Sequence, residues 1–252
     1  MKPAFGAIIQ ARQNSSRLPG KMIKNLHGRP LILRVTEQVS YSEMLEKIVV
    51  ATSDEAGDDQ LADLCQKNGI HLFRGDLNNV LERFIHAAEQ FEIDIIIRIT
   101  GDNPLTDPYM IDQLIESFKN KPDLDYINNV HRDGAVHGAG CELVTLNALR
   151  RSYQMIRDLE NPEDFTEHVT LHIRMNTDIF NTEKFYPQEG LSRKEISYSV
   201  DYPEDFQLVE EIYENLYSDT SPFITREVLN FLDQNETLLE LNSDLHGPLP
   251  DY

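Results

Sequence analysis

The stretch DIIIRITGDNP, residues 94–104, decides the fold class of this protein. Its first seven residues form a mostly apolar run typical of a strand buried inside a sheet, and Gly101 and Pro104 indicate a turn directly after it. Two more short apolar runs, AFGAIIQA at 4–11 and KIVVAT at 47–52, have the same character. Segments with helical periodicity separate and follow these runs. The alternation predicts βαβ units, and therefore an α/β fold with a mostly parallel sheet.

Apolar runs and helical periodicity continue along the whole chain. Helix boundaries are indicated by proline in a first helical turn, aspartate at a cap and glycine after a last turn. Further strands are predicted at 70–74, 125–130, 141–146 and 196–200. Helices are predicted from Pro30 through Val39, from an Asp58 cap to Gly69, and at 78–91, 108–118, 148–159, 162–175 and 203–217.

The length of 252 residues suffices for one substantial core. Residues 1–217 are predicted to form the α/β domain and residues 218–252 a small C-terminal helical appendage. No repeat or domain linker separates the two parts, so we expect them to form one unit.

The composition excludes several classes of protein. The formal net charge of −20 argues against nucleic-acid binding, because phosphate backbones attract basic surfaces. No apolar run is long enough to span a membrane, and the N-terminus lacks a secretory signal. Cys65 and Cys141 are too few for a disulfide framework, which indicates reduced thiols. We therefore expect a cytoplasmic protein that binds neither nucleic acid nor membrane.

Positive charge is concentrated near the N-terminus, where residues 1–36 carry seven Lys or Arg and no Asp or Glu. The loop ARQNSSRLPGK, residues 11–21, follows the first predicted strand and offers Arg12, Arg17 and Lys21. Three cations at the carboxyl end of a strand indicate a site for a compact polyanion such as a triphosphate. The loop has neither the P-loop nor the dinucleotide-binding glycine pattern. A solvated basic loop is the alternative.

Two aspartates at predicted strand ends are candidate metal ligands. Asp102 follows the strand at 94–100, and Asp107 already caps the next helix, so capping does not explain Asp102. Asp201 follows the strand predicted at 196–200, although it could instead cap the helix that begins next. Mg²⁺ prefers oxygen ligands and takes only one or two protein carboxylates. We therefore predict a Mg²⁺ site formed by Asp102 and Asp201.

Seven stretches resemble the cytidylyltransferase family that includes CMP-sialate and CMP-KDO synthetases, and especially its SpsF-type branch of spore coat polysaccharide biosynthesis and the pseudaminate-activating relatives of that branch. They are AIIQARQNSSRLPGKMI at 7–23, VVATSDEAGDD at 49–59, FRGDLNNVLERF at 73–84, IRITGDNPLTDP at 97–108, EHVTLHI at 167–173, SVDYPEDFQLVEEIY at 199–213 and FITREVLNFLDQNETLLELNS at 223–243. The likeness spans nearly the whole chain.

The resemblance implies a Rossmann-like three-layer sandwich of the nucleotide-sugar-transferase type, commonly a homodimer. It implies that CTP and an acidic sugar react to give a CMP-sugar and pyrophosphate, with Asp102 and Asp201 on magnesium. The residues it places at the triphosphate are Ala11, Arg12, Ser15, Arg17 and Lys21. Those it places near the base, the ribose or elsewhere on the nucleotide are Thr52, Ser53, Asp54, Arg74 and Arg98.

Acceptor recognition is expected in the middle of the chain, with Glu142 and His168 as candidate contacts. There the stretch HRDGAVHGAGCE, residues 131–142, departs from the sialate and KDO enzymes. The identity of the acceptor therefore stays open.

The predicted reaction is an in-line displacement at the α-phosphorus, which needs alignment and charge neutralisation more than a protein nucleophile. Its predicted catalytic residues are Arg12, Lys21, Asp102 and Asp201. A uridylyl- or guanylyltransferase acting on a sugar 1-phosphate is one alternative. A non-catalytic nucleotide-binding partner of a biosynthetic complex is the other.

Overall fold

The computed structural model describes residues 2–247. The strands are β1 (Phe5–Gln10), β2 (Asn25–Leu26), β3 (Arg29–Pro30), β4 (Lys47–Ser53), β5 (His71–Gly75), β6 (Ile95–Thr100), β7 (Tyr126–Asn128), β8 (Glu142–Thr145) and β9 (Thr182–Lys184). Seven of them form one sheet with the order β5-β4-β1-β6-β8-β7-β9, whereas β2 pairs with β3 in a separate two-stranded sheet. Within the sheet β8 runs antiparallel to both neighbours and the other strand pairs are parallel. The mostly parallel α/β sheet is therefore confirmed.

Helices cover both faces of this sheet. They are α1 (Leu31–Val39), α2 (Asp59–Lys67), α3 (Val80–Gln90), α4 (Pro108–Lys119), α5 (Leu146–Ile156), α6 (Glu163–Glu167), α7 (Leu171–Met175), α8 (Pro203–Leu216) and α9 (Thr225–Gln234). Side chains of β1 alternate between the faces, as a strand period of two requires. Ala7 and Ile9 pack with α1, α2 and α4, whereas Ile8 packs with α3 and α5. The predicted three-layer sandwich is confirmed.

A third apolar cluster lies beside the sandwich and joins the C-terminal helices to it. Phe206 of α8 and Leu229 of α9 pack there with Leu31 of α1. The helical C-terminal region is present as predicted, and it shares its core with the segments before it. Among residues 2–247 no helix has the length and apolar character needed to cross a membrane.

The strand predicted at 196–200 is wrong. This segment forms a single β-bridge, between Ser197 and His137, and no ladder. The Tyr198 N–H donates to the His137 carbonyl oxygen at 3.0 Å, and the Val200 N–H donates to the Asp102 carbonyl oxygen at 2.8 Å. The apolar alternation in this segment reflects packing into the third cluster, because its backbone bonds to loops rather than to the sheet.

The single helix predicted at 162–175 is also wrong, because α6 ends at Glu167 and α7 begins at Leu171. The helix breaks at His168, whose φ of −97° and ψ of 80° lie outside the helical region. Thr170 is then buried, with its hydroxyl donating to the Glu142 carboxylate, so tertiary contacts set this part of the chain and local periodicity overestimates the helix. Between β1 and α1 the chain also forms a short 3₁₀-helix (Lys21–Ile23) and the two-residue strands β2 and β3.

Gly138 has φ of 99°, and a Cβ there would lie 2.6 Å from the Ser199 nitrogen. We expect Gly138→Ala to lower the free energy of unfolding by about 3 kcal/mol, since left-handed backbone costs roughly 1–2 kcal/mol and overpacking roughly 1–3 kcal/mol. Gly69→Ala is the matched control, because Gly69 has φ of 70° and open space around it. Urea unfolding measures both losses, and equal losses would contradict the close approach at Gly138.

Candidate active site

A polar cleft lies where the strand order reverses. β4 and β5 follow β1 on one side, whereas β6 lies on the other side of β1. Ligands of open α/β sheets bind at the carboxyl ends of strands beside such a reversal. A cleft of about 460 Å³ opens there, which is within the usual size of small-molecule sites. It is lined by Gln10, Arg12, Asn14, Ser15, Ser16, Arg17, Lys21, Met22, Leu77, Asn78, Thr100, Asp102 and Asp201.

Lys21 is the centre of the polar contacts in this cleft. It follows Gly20, whose φ is 72°, and its side chain is buried. The ammonium nitrogen Nζ donates to Asp102 Oδ2 at 2.8 Å, to Asp201 Oδ1 at 3.1 Å and to the Val200 carbonyl oxygen at 2.7 Å. An ammonium group has three protons, so each has an acceptor. The structure thus brings together three of the four predicted catalytic residues.

Asp102 and Asp201 meet although they lie far apart in the chain, because the Val200 N–H donates to the Asp102 carbonyl oxygen. Burial alone would raise the pKa of Asp102, but the charge and hydrogen bond of Lys21 outweigh it and the pKa lies below its ordinary value. Asp201 does not cap α8, because Tyr202 is the N-cap residue of that helix and the Asp201 carboxylate pairs with Lys21 and Arg17. The capping alternative for Asp201 is therefore wrong.

The two predicted arginines border the same cleft. Arg17 Nη2 lies 2.8 Å from Asp201 Oδ1, and its guanidinium lies over the Tyr202 ring at 5.1 Å. Arg12 Nη2 pairs with Glu167 Oε1 at 3.2 Å, and both side chains are about half exposed. An exposed pair of this kind contributes at most about 1 kcal/mol, so a triphosphate can replace Glu167 as the partner of Arg12.

Ser15 lines the cleft beside the arginines, and its hydroxyl oxygen accepts the Leu18 N–H at 3.3 Å. Ala11 lies beneath the loop, where it is buried and its N–H donates to the Ala51 carbonyl oxygen at 3.1 Å. The loop after β1 is thus attached to β4 at its first residue.

Asp58 anchors this loop at a second point. Its Oδ1 accepts the Gln13 N–H at 2.7 Å, and its Oδ2 accepts both the N–H of Ser53, at 3.1 Å, and the Ser53 hydroxyl. The carboxylate is 2% exposed and makes no capping hydrogen bond to α2. The predicted cap role is therefore wrong, and Asp58 joins the loop after β1 to the end of β4.

The residues predicted near the base and ribose surround Asp58 rather than the cleft. Thr52 and Ser53 are buried and Asp54 is exposed. Arg74 donates from Nε to the Ser53 carbonyl oxygen at 2.9 Å and pairs with Asp59 at 2.8 Å. The residues that line the cleft include none of Thr52, Ser53, Asp54 and Arg74. Their contact with a nucleotide stays a prediction.

A smaller recess of about 130 Å³ adjoins the cleft, and Thr100 borders both. It is lined by Arg98, Ile99, Thr100, Asn103, Val130, Ala135, Val136, His137, Gly138, Gly140, Cys141 and Glu142. The stretch that departs from the sialate and KDO enzymes thus forms much of its wall.

Glu142 is buried in this recess and its carboxylate has several donors. Arg98 and Thr170 donate to it, and so does the Tyr126 hydroxyl at 2.9 Å. Burial would raise the pKa of Glu142, but Arg98, Arg174 and these hydrogen bonds lower it to about 2. Glu142 therefore holds Arg98 in place. His168 is exposed at the turn between α6 and α7 and lines neither the cleft nor the recess.

The donor set at Lys21 fits a magnesium ion. Both carboxylates contact the Lys21 ammonium, so the ion would bind beside that nitrogen, and Mg²⁺ commonly binds through one or two carboxylates while substrate phosphates complete its ligands. Residues 2–247 contain no group of three or more His, Cys, Asp or Glu side chains placed to hold a metal by themselves. A metal at Asp102 and Asp201 would therefore need oxygens from a bound nucleotide.

Comparison with known proteins identifies the family of this chain. The profile of the family described as Cytidylyltransferase matches residues 6–238. The chain belongs to the cytidylyltransferase family. The Bacillus subtilis spore coat polysaccharide biosynthesis protein SpsF is 33% identical over 233 residues, covering 90% of this chain and 93% of that protein. The 3-deoxy-manno-octulosonate cytidylyltransferase of Trichlorobacter lovleyi is 37% identical over 120 residues, covering 47% and 46%.

The solved structure of a cytidylyltransferase from Leptospira borgpetersenii superposes with a TM-score of 0.87 at 25% identity, covering 97% of this chain and all of that one. This cytidylyltransferase is thus a nucleotidyltransferase enzyme with the fold of its family, as predicted. Sequence reasoning missed several residues that line the cleft, namely Gln10, Asn14, Met22, Leu77, Asn78 and Thr100. Leu77 and Asn78 lie within FRGDLNNVLERF, so that stretch was the available signal.

We expect Asp58→Asn to lower the free energy of unfolding by about 2 kcal/mol, because an amide cannot accept all the hydrogen bonds that the carboxylate accepts. Burial would raise the pKa of Asp58, but hydrogen bonds from Ser53 and Gln13 lower it below its ordinary value. A lowered folded-state pKa contributes stability at neutral pH that is lost as the pH falls below about 4.

Urea unfolding at several pH values measures this difference, with Asp63→Asn as a control at an exposed position. The gap between the protein and Asp58→Asn should narrow as the pH falls. A gap that does not change with pH would contradict the charged clamp at Asp58.

Proposed function

We propose that this protein is a magnesium-dependent cytidylyltransferase that transfers CMP from CTP to an acidic, nonulosonate-like sugar and releases pyrophosphate, in the synthesis of surface polysaccharide precursors. The observation that carries the proposal is the meeting of Asp102 and Asp201 at the Lys21 ammonium, inside the cleft at the carboxyl ends of β1 and β6. Family membership supports CTP as the nucleotide. SpsF and the 3-deoxy-manno-octulosonate enzyme support an acidic sugar and a polysaccharide pathway.

The reaction requires one bond to form as another breaks. A hydroxyl oxygen of the sugar attacks the α-phosphorus of CTP and loses its proton to water, the bond from that phosphorus to the bridging oxygen of the β-phosphate breaks, and pyrophosphate leaves. Bound magnesium, held by Asp102 and Asp201, would supply neutralisation of the phosphate charge and a lower pKa for the attacking oxygen.

The cations of the chain act on the rest of the triphosphate. Lys21 is buried, which strengthens its attraction for phosphate oxygens relative to an exposed lysine. Arg17 and Arg12 lie at the open side of the cleft and can follow the charge onto the departing pyrophosphate. Asp58 keeps the loop that carries them attached to β4, so their positions are set before the nucleotide binds.

The acceptor is proposed to bind in the recess next to the cleft. Arg98 lies there, held by Glu142 and by Gln10 Oε1, which accepts from Nη2 at 3.1 Å. Its Nε is buried and makes no hydrogen bond to the described protein residues. A guanidinium in this setting favours a carboxylate-bearing ligand over a neutral sugar.

We expect Asp102→Asn to lower the rate of pyrophosphate release about 100- to 1000-fold, because it removes one of the two carboxylates proposed to hold the metal. Asp158→Asn, at an exposed position far along the chain, is the control for loss of a charge. A coupled assay for pyrophosphate measures the rate. An Asp102→Asn protein with the unaltered rate would remove Asp102 from the site.

A panel of CTP, UTP, GTP and ATP, each with magnesium and a set of acidic sugars, tests the nucleotide and the metal together. We expect pyrophosphate release with CTP and its loss when magnesium is chelated. Preference for UTP or GTP with a sugar 1-phosphate would instead support a uridylyl- or guanylyltransferase. Binding of CTP without turnover of any acidic sugar would support a non-catalytic nucleotide-binding partner.

A further inference from the structure

Asp205, in the first turn of α8, is fully buried and its two oxygens have four hydrogen-bond donors. Oδ2 accepts the N–H of Asp201 at 2.9 Å and of Tyr202 at 2.8 Å. Oδ1 accepts from Asn242 Nδ2 at 2.7 Å and from His246 Nε2 at 2.7 Å. One carboxylate thus joins the backbone at Asp201 to a segment near the C-terminus.

Residues 242–247, here named the C-terminal strap, contact the site region at more points than Asp205. Asn242 Nδ2 also donates to the Ser197 carbonyl oxygen at 2.9 Å. The His246 ring lies 5.6 Å from the His137 ring and 6.1 Å from the Tyr202 ring, measured between centroids. The strap therefore spans residues 197–205, the segment that carries Asp201.

The Asp205 carboxylate depends on these hydrogen-bond donors. Among the ion pairs of the described residues its partner is His246, and no lysine or arginine lies within ion-pair distance. A fully buried carboxylate is costly unless hydrogen bonds satisfy it. Without the donors on Oδ1 the Asp205 carboxylate would lower its free energy by turning toward water. The hydrogen bonds that Oδ2 accepts from the Asp201 and Tyr202 backbone would then weaken.

We propose that the C-terminal strap is a positioning element for the metal site, and that Asn242 and His246 act through Asp205 to fix the backbone from which the Asp201 carboxylate projects. This inference rests on the proposed function, because it takes Asp201 as a metal ligand. Groups that orient metal ligands from outside the ligand shell set the affinity for the metal, and their loss costs about 10- to 100-fold.

The test measures Mn²⁺ binding by electron paramagnetic resonance in the presence of CTP, using the full chain. Asn242→Leu removes both hydrogen bonds of Asn242 with little change in side-chain volume. We expect its dissociation constant for Mn²⁺ to rise about tenfold. Asn235→Leu is the matched control: the Asn235 side chain donates to the Phe231 carbonyl oxygen at 2.8 Å, away from Asp205, so we expect unchanged affinity.

A second pair of variants separates positioning from general stability. His246→Leu should weaken Mn²⁺ binding, whereas His246→Gln keeps an N–H donor and should restore it. In an Asp201→Asn background, Asn242→Leu should add no further loss, because the residue through which the strap acts has already lost its charge. If Asn242→Leu does not fold, the comparison of His246→Leu with His246→Gln decides whether the strap positions the site.

Melting temperatures are measured alongside. Lower melting temperatures with unchanged Mn²⁺ affinity in the folded variants would overturn the positioning role and leave the strap as packing only. If the unaltered protein binds Mn²⁺ with CTP but Asn242→Leu and His246→Leu bind it equally well, the strap inference alone fails. If the unaltered protein shows no CTP-dependent Mn²⁺ binding, the proposed function fails and the inference with it.

Discussion

The ammonium of Lys21 is the physical constraint on which the site depends. It lies between the carboxylates of Asp102 and Asp201 and also donates to the Val200 carbonyl oxygen, so each of its protons has an acceptor. Two carboxylates this close would otherwise repel each other. Three chain segments, after β1, after β6 and before α8, meet at this one nitrogen. Basic side chains from the N-terminal region and two aspartates from later in the chain are thereby brought into one cleft.

Two buried carboxylates hold the loops around that nitrogen. Asp58 accepts N–H groups from the loop after β1 and from the end of β4, and Asp205 accepts those of the segment before α8. Both lie at the start of a helix, and both receive donors from distant segments. Buried charge requires such saturation with hydrogen bonds, so each carboxylate restricts the backbone that satisfies it. The side chains proposed to be catalytic therefore project from loops that these carboxylates hold in place.

The interior strands and the position of Asp102 at a strand end could be predicted from sequence, because a buried strand and the turn after it are local patterns. The three layers were implied by the resemblance to the family. The segment at 196–200 could not be predicted, since its apolar alternation serves a cluster beside the sheet. Asp58 reads locally as a helix cap, and only tertiary contacts assign it to Gln13 and Ser53. The role of Glu142 in holding Arg98 likewise depends on the pairing of β6 with β8, which sequence periodicity does not specify.

We propose that one cation-bound triphosphate lies among Lys21, Asp102 and Asp201. Anomalous diffraction from crystals grown with CTP and Mn²⁺ locates the ion without any assumption about the chemistry. We expect an anomalous peak that contacts both carboxylates and the phosphate oxygens of CTP in the cleft at the ends of β1 and β6. A peak bound to neither aspartate, or CTP bound away from Lys21, would show that the triphosphate does not lie there.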